Sequence, residues 1–165
     1  MELIPEKFKS AMRLSIGIIS DTHGLLRPEA MRALQGSDVV LHAGDVGDEM
    51  ILEQLEAIAP VYTVRGNMDY QPWCGSLPST RTIILGEICI YMIHDIAHVD
   101  RSKLTKVSMV VYGHSHRPEI VERDHVIYLN PGSAGPKRFS LPVTLAKLDW
   151  EKGQEKLTPQ LIQLI

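Results

Sequence analysis

Arg13-Leu14-Ser15-Ile16-Gly17-Ile18-Ile19-Ser20-Asp21-Thr22-His23-Gly24 is the stretch on which the reading of the whole chain turns. Arg13–Ile19 is a short run rich in β-branched residues that breaks off into polar turn formers, so it reads as a strand delivering polar side chains to a loop. Residues two apart in an extended segment project to the same side, so Asp21 and His23 are expected to face one point.

The same unit recurs downstream. Asp38–Leu41 is an apolar strand running into His42-Ala43-Gly44-Asp45, and Val61–Val64 runs into Arg65-Gly66-Asn67-Met68-Asp69. Between the first two strands, Pro28 suits the first turn of a helix reaching about Gln35 and closed by Gly36. Asp48 is the expected N-cap of a second helix to Ala59, with Ile51, Leu52, Leu55 and Ile58 on one face and Pro60 as its stop. Three successive βα-type units predict a parallel sheet in the first half.

The second half changes pattern. Thr80–Leu85 and Ile88–Ile93 flank Gly86-Glu87, and Ile120–Arg123 and Val126–Leu129 flank Asp124-His125, so two antiparallel hairpins are expected. Between them lie a short helical segment near Asp100–Lys106 and a buried strand, Ser108–Tyr112, that ends in Gly113-His114-Ser115-His116. A last strand near Val143–Leu148 closes the domain, and 152–165 is either a strand or a docked tail.

Composition narrows the class. With 165 residues, 44% of them hydrophobic and 22% charged, the chain is expected to form one domain over 1–165, with 1–12 an N-terminal extension. A net charge of -3 argues against broad nucleic-acid binding. Cys74 and Cys89 have neither CxxC nor zinc-knuckle spacing, which points to a reduced, cytoplasmic setting and away from a disulfide framework. No apolar run approaches the roughly 20 residues of a membrane span, and the N-terminus has no apolar core of a secretory signal.

The polar clusters that follow the strands pool two Asp, one Asn and, with His94 at the end of Ile88–Ile93, four His. Such a mixed oxygen and imidazole set suits Mn²⁺, Fe²⁺, Ni²⁺ or Zn²⁺ better than Ca²⁺ or Mg²⁺. Seven ligands are too many for one ion that must keep open positions, but two ions sharing a carboxylate would use them all. No P-loop and no Gly-x-Ser-x-Gly elbow offers a competing chemistry.

Five blocks in order, Asp21-Thr22-His23, Gly44-Asp45, Gly66-Asn67-Met68-Asp69, His94 and Gly113-His114-Ser115-His116, resemble the calcineurin-like metallophosphoesterase superfamily, and within it the small YfcE-like phosphodiesterases. The resemblance covers nearly the whole chain. It implies an α/β (α+β) fold, a four-layer αββα sandwich of two mixed β-sheets flanked by helices. It implies that Asp21, His23 and His116 bind one metal ion, that Asn67, His94 and His114 bind the other, and that Asp45 bridges them. Mn²⁺ comes first among the candidate ions. Asp45, Asn67 and His94 are then also expected to act in catalysis, by placing a metal-bridging hydroxide and the phosphoryl group of a small phosphodiester. Asn130-Pro131-Gly132-Ser133 matches a further loop of the family, expected as a structural turn near the site.

Two departures from the pattern matter. Larger relatives carry a His after the Asn, whereas this chain has Met68, which donates no proton; activated aryl or nucleotide-like esters are therefore the expected substrates. Asp95 follows His94 where Gly is common, and is expected either to bond a neighbouring imidazole or to face solvent. Arg65 and His98 are candidate substrate-side groups, although His98, like His42 and His125, reads first as an ordinary packed or surface residue. Met68 is expected in the core more than in a pocket wall, Asp69 is expected to make a structural or ligand-supporting hydrogen bond to a nearby His, and Trp73 either lines a pocket or seals the core. Lys137 and Arg138 read as solvated charges. A broad phosphomonoesterase and a non-catalytic scaffold on the same fold are the alternative functions, and monomer or homodimer is left open.

Overall fold

The computed structural model describes residues 2–165. Two sheets pack face to face. One has five strands: β2 (Arg13–Ile19), β3 (Val39–His42) and β4 (Val61–Thr63) run parallel, and β10 (Thr144–Glu151) and β11 (Gln160–Gln163) add antiparallel on the other side of β2. The other has six, in the order β1 (Glu2–Leu3), β5 (Thr80–Leu85), β6 (Ile88–Ile93), β7 (Met109–Val111), β9 (Val126–Asn130), β8 (Glu119–Arg123). Its hairpins β5–β6 and β8–β9 are antiparallel, whereas β7 lies parallel to both β6 and β9. Both expected hairpins are thus antiparallel, and β7, which enters after a crossover and not a hairpin, makes the sheet mixed.

Strand alternation explains why these runs are apolar throughout. Ile16 and Ile18 of β2, Val39 and Leu41 of β3, Ile90 and Met92 of β6 and Met109 and Val111 of β7 fill one core between the sheets. Their neighbours in sequence point outward: Ile19 and Val40 lie under the helices, and Tyr91, Ile93 and Val110 under the turns on the far side. Both faces of these strands are covered, so period-2 polarity is lost. Each fully buried Ile or Leu contributes about 1.5–3 kcal/mol.

The outer layers are unequal. Helices α1 (Pro28–Leu34) and α2 (Glu49–Glu56) cover the five-stranded sheet, α1 starting at Pro28 and α2 capped by Asp48, whose carboxylate accepts the Met50 N–H at 2.9 Å. Gly17 lets α1 approach closely, since a Cβ there would lie 2.4 Å from Leu34 Cδ2. The opposite face is covered by short 3-10 helices at Ile96–His98 and Arg101–Leu104, each begun by an Asp, the second falling within the helical segment expected near Asp100–Lys106. After β4 there is likewise only a 3-10 turn, Pro72–Ser76, where Pro72 and Gly75 discourage a longer helix.

The N-terminal residues do more than extend the chain. Glu2–Leu3 pairs parallel to β5 as an edge strand, and Phe8 is buried in the inter-sheet core. The C-terminal segment takes the strand alternative as β11. Among the described residues no helix is long and apolar enough to cross a membrane.

Candidate metal centre

The loops that follow β2, β3, β4, β6 and β7 all meet at one edge of the sandwich, and they bring Asp21, His23, Asp45, His94 and His116 together. Asp21 is fully buried. Its Oδ2 accepts the Ser20 hydroxyl at 2.6 Å and the His114 backbone N–H at 3.1 Å. Its Oδ1 has no hydrogen-bond partner, and three imidazole Nε2 atoms surround it: His116 at 3.4 Å, His23 at 3.7 Å and His94 at 3.8 Å.

Asp45 repeats the arrangement. Its Oδ1 accepts the Met68 N–H at 2.8 Å, while Oδ2 stands 3.1 Å from His94 Nε2 and 3.6 Å from His23 Nε2. Each carboxylate therefore has one oxygen fixed by protein donors and the other aimed into the cluster. His94 donates its Nδ1–H to the Ala43 carbonyl at 2.7 Å, which leaves the lone pair on Nε2 facing Asp45.

The electrostatics follow from this crowding. Burial pushes the Asp21 pKa up, but His116, His23, His94 and Ser20 outweigh it and hold the group well below the usual carboxylate range. Asp45 is likewise lowered: burial works against the charge, and His94 and the Met68 N–H overcome it. For His94 burial favours the neutral ring, yet Asp45 and Asp21 shift the balance upward. An unpartnered buried carboxylate oxygen and a bare imidazole lone pair facing a second carboxylate are costly unless a cation lies between them. The donor set fits divalent first-row ions. Asp21, His23 and His116 form one group of converging ligand atoms, and Asp21, Asp45 and His94 form another.

Asn67 and His114 stand apart from these five, of which four are buried and His23 is partly exposed. Both are exposed, and Asn67 Oδ1 lies 3.1 Å from His114 Nδ1. They adjoin the cluster at its rim, where the His114 ring meets that of His94 edge-on with centroids 5.3 Å apart.

The route by which these side chains converge differs from the expected one. Asp21 and His23 are not extended: their φ values are 54° and 46°, and Asp45 (57°), His114 (72°) and His116 (63°) share the left-handed region. Each loop doubles back, and the side chains meet because of that curl and not through a strand's alternation. Few non-glycine residues occupy this region, Asp and His more readily than most, and such residues gather at functional sites. Close backbone approach adds a glycine requirement at Gly66, where a Cβ would fall 2.1 Å from Asp45 Oδ1, and at Gly113, where it would fall 2.1 Å from Ser20 Oγ.

Several supporting residues have no ligand motif to announce them. Asp69 accepts four backbone N–H groups, from Asp45, Val46, Gly47 and Gly66, at 2.8–3.4 Å, so its partner is the Asp45 loop and not a His. His42, read as ordinary, is fully buried in a polar chain: the Gly44 N–H donates to its Nδ1, its Nε2–H donates to Thr22 Oγ1, and the Thr22 hydroxyl donates to the Val46 carbonyl. The Asn130–Ser133 turn braces the site as expected, Asn130 holding the Gly113 carbonyl and Ser133 Oγ donating to the Asp21 carbonyl.

Met68 is exposed, at 47%, and not in the core, because its N–H and not its side chain faces inward. Trp73 packs against the core under the helices, resolving its two readings toward a seal. His125 sits beside Asp124 in the β8–β9 turn, both at positive φ. Lys137 and Arg138 are exposed. Beside the cluster opens a groove of about 430 Å³ lined by Arg65, Asn67, Thr80, His94, Asp95 and His98, among others. A larger cavity, about 520 Å³, is lined by residues of other segments, Glu87, His125 and Lys156 among them, and contains none of the clustered side chains.

Comparison with known proteins agrees with this architecture. Residues 14–153 match the model of the calcineurin-like phosphoesterase superfamily domain. A probable metallophosphoesterase of Methanocaldococcus jannaschii is 35% identical over 158 residues, 87% of this chain and 80% of that protein. A phosphodiesterase of the same organism is 26% identical over 161 residues, 84% of this chain and 95% of its own. Among solved structures, Vps29 of Chaetomium thermophilum shares the fold, with a TM-score of 0.73 and 21% identity over 90% of this chain and 97% of that one. On its sequence, its two mixed sheets and the site at their common edge, the chain belongs to the calcineurin-like phosphoesterase superfamily.

Proposed function

We propose that this protein hydrolyses a small phosphodiester with the help of two divalent ions, Mn²⁺ first and Ni²⁺, Fe²⁺ or Zn²⁺ as alternatives. Asp21, His23 and His116 would hold one ion, Asn67, His94 and His114 the other, and Asp45 would lie between them, consistent with an Oδ2 that faces both His23 and His94. The observation that carries the reading is the Asp21 Oδ1 atom, buried, without a hydrogen-bond partner and within 3.8 Å of three imidazole nitrogens. When bound, such a pair of ions supplies an activated water at neutral pH and positive charge against the phosphoryl oxygens.

The protein's own part is positional. Ser20, the His114 N–H and the Met68 N–H fix the two carboxylates, Ala43 fixes the His94 tautomer, and Asn67 stands where the cluster opens into the groove. Arg65 brings a permanent positive charge to that groove, suited to a phosphodiester anion. The groove gives the second ester arm somewhere to lie, and the similar archaeal protein named a phosphodiesterase supports the diester over the monoester. Unpaired Cys74 and Cys89 fit a reducing, cytoplasmic setting.

The test is hydrolysis of bis-(p-nitrophenyl) phosphate beside p-nitrophenyl phosphate by chelator-stripped protein reloaded with Mn²⁺, with Asp45→Asn as the control. Metal-dependent turnover that is faster on the diester and lost in the control is expected. Faster turnover of the monoester would make the protein a phosphomonoesterase, and no turnover with any first-row ion would leave a binding scaffold.

A further inference from the structure

Ions held by the cluster would activate the attacking water, but the departing oxygen would still need a proton. Met68, the residue that follows Asn67, cannot provide it. The groove offers few alternatives. Arg65 is permanently charged, Thr80 is a poor acid, and both nitrogens of His94 are committed, one to Ala43 and the other to the Asp45 side of the cluster. That leaves one imidazole. His98 lines the same groove as Asn67 and His94, on the 3-10 turn that starts one residue after Asp95.

A carboxylate stands beside it. Asp95 uses Oδ1 to cap the turn through the Ala97 N–H at 3.0 Å, and its Oδ2 stands 3.7 Å from His98 Nδ1. A carboxylate facing Nδ1 favours the tautomer with its proton there, which leaves Nε2 as the nitrogen free to meet a bound ester. The charged and titratable groups around this ring are Asp95, Arg65 and His94, with His114 across Asp95 at 3.7 Å. The ring itself is solvent-exposed, which gives it both mobility toward a bound ester and a route for reprotonation.

We propose that His98 is the general acid for the leaving group, an inference that rests on the phosphodiester reading above. As the water oxygen forms the new P–O bond and releases a proton to solvent, the bond from phosphorus to the departing ester oxygen breaks, its electron pair stays on that oxygen, and the oxygen takes the Nε2 proton of the His98 imidazolium. Solvent then returns a proton to the ring. The acidic residue after His94 thus serves the missing acid: Asp95 orients His98 where this chain lacks a His beside Asn67.

The experiment compares ethyl p-nitrophenyl phosphate with ethyl phenyl phosphate, which differ only in how much the departing oxygen needs a proton, using the full-length Mn²⁺-loaded wild type and His98→Gln. The variant should lose about tenfold or more in kcat/KM on the phenyl ester and less than about threefold on the nitrophenyl ester. The alkaline fall of the wild-type profile on the phenyl ester should vanish with it. Calorimetric Mn²⁺ affinity should stay within about twofold of wild type, since His98 is not proposed as a ligand. Equal losses on both esters, no loss on either, or weakened Mn²⁺ binding would overturn the assignment. A wild type inactive on both esters would remove the phosphodiester reading and this inference with it, an outcome distinct from an active wild type whose variant shows no leaving-group dependence.

Discussion

Asp69 Oδ2 accepts the backbone N–H of Asp45 at 2.9 Å across 24 residues of sequence. The two carboxylates thereby divide the work of one loop: Asp69 holds its backbone, and Asp45 presents a side-chain oxygen to the cluster. Removing the Asp69 carboxylate leaves buried N–H groups without a partner. Asp69→Ala should lower stability by about 2–4 kcal/mol and weaken Mn²⁺ binding, measured by chemical denaturation and by calorimetry. Stability within about 0.5 kcal/mol of wild type would show that water or a rearranged loop replaces the anchor.

Gly66 is where that loop touches the next. A Cβ at 66 would fall 2.1 Å from Asp45 Oδ1 and 2.3 Å from its backbone nitrogen, so a methyl group must displace one of them. Gly66→Ala is expected to destabilise by about 1–3 kcal/mol and to reduce Mn²⁺ affinity more than a surface control such as Gly75→Ala, whose Cβ meets nothing. Equal affinities in the two variants would mean that the contact relaxes without moving the carboxylate.

Ions that bind only the folded chain should stabilise it. At a free Mn²⁺ concentration 100 times Kd the gain is about 2.7 kcal/mol, which for a chain of this size raises Tm by roughly 5–10 °C. Asp21→Asn should lose most of that shift, because Oδ1 is the atom on which three imidazoles converge. A shift of the same size in Asp21→Asn would exclude Asp21 from the metal site.

Burial pushes the His42 pKa down to about 4, with the Asp21 and Asp45 charges opposing it only in part. The unfolded chain takes up this proton below about pH 6.5, the native protein only near 4. Unfolding therefore binds a proton between these values, and the stability tied to the neutral ring, full above pH 6.5, is lost as pH falls toward 4, by up to about 3 kcal/mol. In metal-free protein, urea denaturation of His42→Gln between pH 4 and 7 should show a shallower acid loss than wild type. Parallel curves would place the acid sensitivity elsewhere in the cluster.

The strands and the polar residues that follow them were readable because a run such as Val39–Leu41 has no polar residue until the chain turns, and the turn then holds the ligand types together. What joins those side chains was less readable. Asp69 looks like any turn residue until backbone donors from 22 to 24 residues away arrive beneath it. His42 is an unremarkable letter in an apolar strand until Thr22 and Gly44 close on its two nitrogens. Met68 and Asp21 illustrate a third gap: the side chain of one faces out and the backbone of the other curls left-handed because of the loops they bridge, and local pattern encodes neither. The edge strand Glu2–Leu3 is too short to show any alternation at all.

The left-handed curl at Asp21, His23, Asp45, His114 and His116 also sets the protein's two demands against each other. A residue with a side chain held there costs of order 1–3 kcal/mol, whereas glycine would sit at ease. A selection for heat resistance alone, carried out without metal, should therefore drift toward glycine at these positions and erase the site while hardening the fold. That candidate ligands stand in five strained places makes the proposed centre a region of softness, one that a bound cation would tighten and a thermostability screen blind to function would remove.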